Sequence, residues 1–91
     1  MRELINTLLK YQDLFDTCHR FDPKNNNFAS IVKNSSELMN RLDQELSKRF
    51  DLSPATIDRW KRGSTYPLPK IQSIIVSFIY KELRKDFSEL V

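Results

Sequence analysis

The sequence predicts an all-α protein, a compact bundle of about five helices forming a single domain over residues 1–91. Three observations carry this. Gly63 is the one glycine in 91 residues. No stretch alternates apolar and polar residues over a strand's length, and the hairpin pairs Asn-Gly and Asp-Gly are missing. Apolar residues instead return at i, i+3, i+4 and i+7 in several segments, the spacing of one helix face.

The first helix is expected over residues 2–18. Leu4, Leu8, Tyr11 and Phe15 recur at helical spacing, with Ile5, Leu9 and Leu14 widening the stripe. So broad an apolar face needs cover from the domain or from another subunit. Residues 20–27, RFDPKNNN, read as a loop because Asp22-Pro23 and the asparagines favour turns. A short helix follows at about 28–33, capped by Asn26 or Asn27. Ser35 and Ser36 can cap the next helix, in which Leu38, Leu42 and Leu46 with Met39 form a stripe reaching Phe50. Residues 51–53 break it. Ser53 followed by Pro54 is an N-cap with proline at the first helical position, and Gly63 is a natural stop. Residues 63–69 form a loop. A last helix starts near Pro69 on Ile71, Ile74, Ile75, Phe78, Ile79, Glu82 and Leu83, with Val76 and Tyr80 beside them. The tail from Asp86 is expected to be helical or frayed.

Charge is distributed unevenly. The chain carries 15 Lys and Arg against 12 Asp and Glu, a net +3. Residues 1–47 and 71–91 hold none of that excess. Between 48 and 70, Lys48, Arg49, Arg59, Lys61, Arg62 and Lys70 face only Asp51 and Asp58. A local basic patch is what a phosphate-binding surface requires, although a solvated mixed-charge face has the same composition. Cys18 is the one cysteine, which excludes an internal disulfide and fits a reducing compartment. No apolar run approaches the ~20 residues needed to span a bilayer. Glu3 and Asp13 flank the first apolar patch, so a signal peptide is not expected.

The informative segment is 43–62, DQELSKRFDLSPATIDRWKR. Two helices joined by a tight turn pack only if certain positions are apolar or small. Leu46, Phe50, Leu52, Ile57 and Trp60 occupy the inward positions, and Ser47 sits where the helices approach closely. Ser53, Ala55, Thr56, Asp58, Arg59, Lys61 and Arg62 are left on the outside. With Gly63 and Pro67 following, this string resembles the helix-turn-helix of phage-repressor and Cro-like (XRE-type) bacterial regulators. The firm match covers about residues 39–83, within an expected core of 28–85; the N-terminal helix, 1–19, lies outside the usual module. Two positions depart from the pattern. Asp51 stands where glycine is common, and aspartate tolerates the left-handed conformation better than most residues. Asp43 stands where many relatives have glutamine, and its charge would repel phosphate unless it turns away or caps the helix.

The resemblance implies a sequence-specific double-stranded DNA-binding protein, a small transcriptional regulator that inserts helix 54–62 into the major groove. Ser53, Ala55, Thr56 and Arg59 are the expected base readers. Arg59 suits guanine, and Ala55 or Thr56 suits a thymine methyl. Lys48, Arg49, Lys61, Arg62 and Lys70 are expected on phosphates, with Ser64 and Thr65 adding hydrogen bonds. Asp58 has two readings, acceptor from cytosine or ion pair with Arg62 at i+4, and the ion pair is the simpler. Two half-sites about 10 base pairs apart favour a homodimer, with helix 2–18 (unless it simply caps the core) or the exposed part of the Ile74–Leu83 helix as its contact. A cytoplasmic, nucleoid-associated protein is the matching location. The alternative is a protein-interaction module, antitoxin- or adaptor-like, using the apolar helix 2–18.

Other residues support blander roles. Cys18 and His19 are adjacent but lack the further ligands of a metal site, and neighbours in sequence seldom align as nucleophile and base. Trp60 reads as a core anchor rather than a base-stacking platform. Tyr66 can touch a phosphate or cover the core edge. No glycine-rich phosphate loop exists. Neither an enzyme nor a cofactor is expected.

Overall fold

A computed structural model describes residues 2–25 and 27–91. It contains five α-helices: α1 (Arg2–His19), α2 (Phe28–Leu38), α3 (Leu42–Phe50), α4 (Pro54–Arg62) and α5 (Pro69–Leu90), with a 3-10 turn at Pro23–Asn25. Among the described residues there is no strand, and no helix is long and apolar enough to cross a membrane. The expected cap at Asn26 lies outside the described residues. Asn27 occupies the N-cap position of α2 without a side-chain capping bond.

The long α5 is the spine. α1 runs antiparallel to it, with Phe15 edge-on to Tyr80 and Phe87 at 5.6 and 5.5 Å between ring centroids. Ile75, Ile79 and Leu83 of α5 are fully buried against Phe28, Ile31 and Val32 of α2 and Leu42 and Leu46 of α3. Gln72 also points inward, because its amide donates to the Pro67 carbonyl at 2.9 Å. α5 continues through the tail to Leu90.

Two expectations need correction. A single helix from Ser35 to Phe50 is not formed: α2 runs on to Leu38, Met39 leaves it in an extended conformation, and α3 begins at Leu42. Ser35 is therefore a fully buried residue inside α2, not a cap. No glycine or proline marks this break. Packing makes it, because it turns the Ile31–Val32 face and the Leu42–Leu46 face onto one core, overriding local propensity. Arg41, in the break, is held to α5 by Glu82 at 2.8 Å and Asp86 at 2.6 Å. Asp86 in turn accepts from the Tyr11 hydroxyl. Burial, then the Asp86 charge, push that hydroxyl up to about 12, so it remains a donor.

The domain supplies part of the cover expected for α1. Only its C-terminal half is buried, through Tyr11, Leu14 and Cys18; Leu4, Ile5 and Leu9 are exposed, Leu9 by 63%. The second correction is in α5, where Ile71 and Ile74 lie outside the buried stripe. The core takes 72, 75, 76, 79, 82 and 83, one 3.6-residue face, and leaves 71 and 74 on its flank.

Candidate nucleic-acid interface

Helices α3 and α4 form a two-helix unit whose connection is fixed by short-range chemistry. Asp51 ends α3 at φ 53°, ψ 49°, the left-handed conformation its side chain tolerates. The Leu52 N–H returns to the Ser47 carbonyl at 3.1 Å, and the Ser47 hydroxyl donates to the Leu52 carbonyl. Ser47 thus serves both by being small at the helix crossing and by tying down the turn. Ser53 caps α4, its Oγ accepting from the Thr56 N–H at 3.2 Å, with Pro54 at the first position. Gly63 closes α4 at φ 73°. Ser64 N–H donates to the Arg59 carbonyl and Gly63 N–H to the Trp60 carbonyl, the two bonds of a Schellman cap.

Ile57 and Trp60 anchor α4 in the core, Trp60 meeting Phe28 edge-on at 5.5 Å. At 100° per residue, that anchoring turns 55, 58, 59 and 62 outward together. Ala55, Asp58, Arg59 and Arg62 are all exposed. Asp58 and Arg62 form the i, i+4 ion pair at 3.0 Å. Arg59 has no ion-pair partner among the described residues. The Ser53 and Thr56 hydroxyls sit 2.9 Å apart and bond to each other at the start of the helix. Ser64 and Thr65 are exposed in the following loop. Tyr66 folds back, its hydroxyl 3.0 Å from the point a Cβ on Gly63 would occupy.

The six basic residues between 48 and 70 do not share one face. Lys48 lies with Asp43, Gln44 and Ser47 on the side of α3 that turns towards α4. Arg49 lies on the other side, its guanidinium 5.9 Å above the Phe78 ring, beside Lys70 of α5. Lys61 is half-buried, its ammonium 2.5 Å from Asp43. Expected as a phosphate contact, Lys61 is instead held in an internal ion pair.

Asp43 is the residue whose role the sequence concealed. One carboxylate oxygen takes the Lys61 ammonium of α4 and the other accepts from the Ser36 hydroxyl of α2 at 2.6 Å. Burial pushes its carboxyl up, but the bonds from Lys61 and Ser36, with the Lys61 charge, outweigh burial and hold it below the usual range. It neither caps α3 nor projects as a free anion. Its partners are seven and 18 positions away, so no local pattern announces them.

Cys18 is buried in the core and its thiol is pushed up to about 11 by that burial, far from a reactive thiolate. Among the described residues no group of three or more His, Cys, Asp or Glu side chains could hold a metal ion. No protein-family model, no curated protein and no solved structure matches the chain.

Proposed function

We propose that this chain is a small sequence-specific regulator that binds duplex DNA as a homodimer, laying α4 in the major groove. The observation that carries the reading is the outward ridge of Ala55, Asp58, Arg59 and Arg62 on a nine-residue helix pinned from beneath by Ile57 and Trp60. A helix so anchored presents fixed side chains to base edges. Arg59 reads a guanine, Ala55 and the Thr56 methyl contact thymine, and Ser53 supports the helix start. Lys48, Arg62, Ser64 and Thr65 meet phosphates around it. The reading is non-enzymatic and places the protein in the cytoplasm with the nucleoid.

Selection of bound sequences from random duplex DNA at stated salt tests this. A palindromic consensus is the expected result, and Arg59→Ala weakens binding to it by about 1–3 kcal/mol while relaxing preference at one base pair. A chain that enriches no sequence and ignores duplexes at low salt removes the reading.

One observation favours the second reading, a protein-interaction module. Leu4, Ile5 and Leu9 leave the first half of α1 apolar and uncovered. Because Tyr11, Leu14 and Cys18 belong to the core, the test is substitution rather than deletion. Ile5→Lys with Leu9→Lys should keep the fold and abolish capture of a protein partner; loss of self-association alone would instead make this half of α1 the dimer contact of the first reading.

A further inference from the structure

A second surface lies between α3 and α5, on the opposite side of α3 from the α4 groove. Glu45 and Arg49, one turn apart, form one wall. Asp43, Gln44, Ser47 and Lys48 face the other way, towards α4. The second wall is α5, from Lys70 through Ile74 and Phe78 to Lys81 and Lys85. Phe50 and Phe78 meet edge-on at 5.5 Å to make the floor, and Ile74 stands 47% exposed beside them.

The charge on this groove is one-sided. Glu82 at its base is buried and neutralised by Arg41 at 2.8 Å and Lys85 at 3.6 Å. Glu45 is then the remaining anion, and Arg49, Lys70 and Lys81 have no ion-pair partner among the described residues. An apolar floor between unpaired cations fits a ligand with apolar residues along its centre and carboxylates along its edges. The α5 wall, 15 residue steps from Lys70 to Lys85, is about 22 Å long, the length of about four helical turns.

We infer that this groove docks an acidic amphipathic helix of a partner protein, seating apolar side chains on Phe50, Ile74 and Phe78 and carboxylates on Arg49, Lys70 and Lys81. A second copy fits poorly, because a two-fold contact sets each patch against itself and so cation against cation. Nucleic acid fits poorly too. Arg49, Lys70 and Lys81 could each hold a phosphate, but Phe50, Ile74 and Phe78 between them give a nucleic-acid backbone no donor, and Arg49 over the Phe78 ring competes with a stacked base. The groove stands on the far side of α3 from α4, so this inference does not depend on DNA binding.

The test is an amide-shift titration of the isotopically labelled full chain with two synthetic helical peptides. Both carry leucines at i, i+3, i+4 and i+7; one is flanked by glutamates, the other by lysines. The glutamate peptide is expected to move the amides of Arg49, Ile74, Ser77 and Lys81 and to leave Ala55 and Arg59 in place. Lys70→Glu with Lys81→Glu, both at exposed positions, should weaken it about tenfold, with an unchanged thermal melt. Equal binding of the two peptides, binding of neither, or a short duplex moving the same groove amides overturns the inference.

Discussion

Asp43→Asn should lower stability and, if the chain binds DNA as proposed, strengthen the salt dependence of that binding. The substitution keeps an acceptor for Ser36 but removes the charge that holds Lys61. The pair is partly exposed, the Lys61 and Asp43 side chains being 24% and 45% accessible, so solvent screens it and its worth is about 0.2–1 kcal/mol. For a domain of this size that is a fall in Tm of about 1–8 °C. The sign with pH follows from the depressed carboxyl. A group held below its unfolded value of about 3.9 contributes stability that is present above that pH and is lost as pH falls through the folded value. The gap between wild type and variant should therefore be full near neutrality and close below about pH 4. On DNA the released Lys61 adds one cation. If it reaches a phosphate, the plot of log affinity against log salt steepens by about 0.9, an extra loss of about 3–4-fold between about 50 and 200 mM salt. Thermal melts across acid pH and anisotropy titrations of a labelled duplex measure both. Identical melts at neutral pH and an unchanged salt slope would refute the idea that Asp43 restrains Lys61.

Three further outcomes follow from backbone and burial. Gly63→Ala should cost about 1–2 kcal/mol by denaturant melt, because a Cβ at φ 73° is strained and meets the Tyr66 hydroxyl at 3.0 Å; a neutral melt would show that the α4 cap does not need glycine. Asp51→Gly should stabilise by about 0.5–1 kcal/mol, since glycine relieves the left-handed strain at φ 53° and loses part of that gain to unfolded-state entropy. A destabilised variant would mean that the Asp51 side chain holds the turn. Cys18 should react with a thiol reagent only as fast as the protein unfolds, because its thiol is buried and raised to about 11; rapid labelling of the native protein would contradict its place in the core.

Which of these features were legible in the chain divides along one line, the sequence distance between the groups involved. The α4 boundaries, the cap at Ser53, the stop at Gly63 and the strained turn at Asp51 were readable because each depends on a residue's own backbone preference or on neighbours within about one helical turn. Leu46 on α3, and Ile57 with Trp60 on α4, were readable for the same reason, each from the apolar spacing within its own helix. The break at residues 39–41 was not. Nothing local at Met39 or Asn40 interrupts a helix, and the break is held by Arg41 reaching Glu82 and Asp86, some 41 and 45 positions on.

The basic stretch shows the same limit in the candidate interface. Read along the chain, residues 48–70 are one positive patch. Folded, Lys48 turns to the α4 side, Arg49 and Lys70 line the groove between α3 and α5, and Lys61 is taken by Asp43. A 100° step between neighbouring helical residues sends adjacent charges to different surfaces, and only the packing angle decides which. The exposed halves of α1 and of the Ile71–Ile74 flank have the same origin. By itself the sequence determined an all-helical chain, its turn chemistry and the face of α4 left polar, because those are properties of short segments. The tertiary structure alone decided where α2 ends, which apolar residues stay uncovered and which cations remain free, because those depend on groups brought together from distant positions.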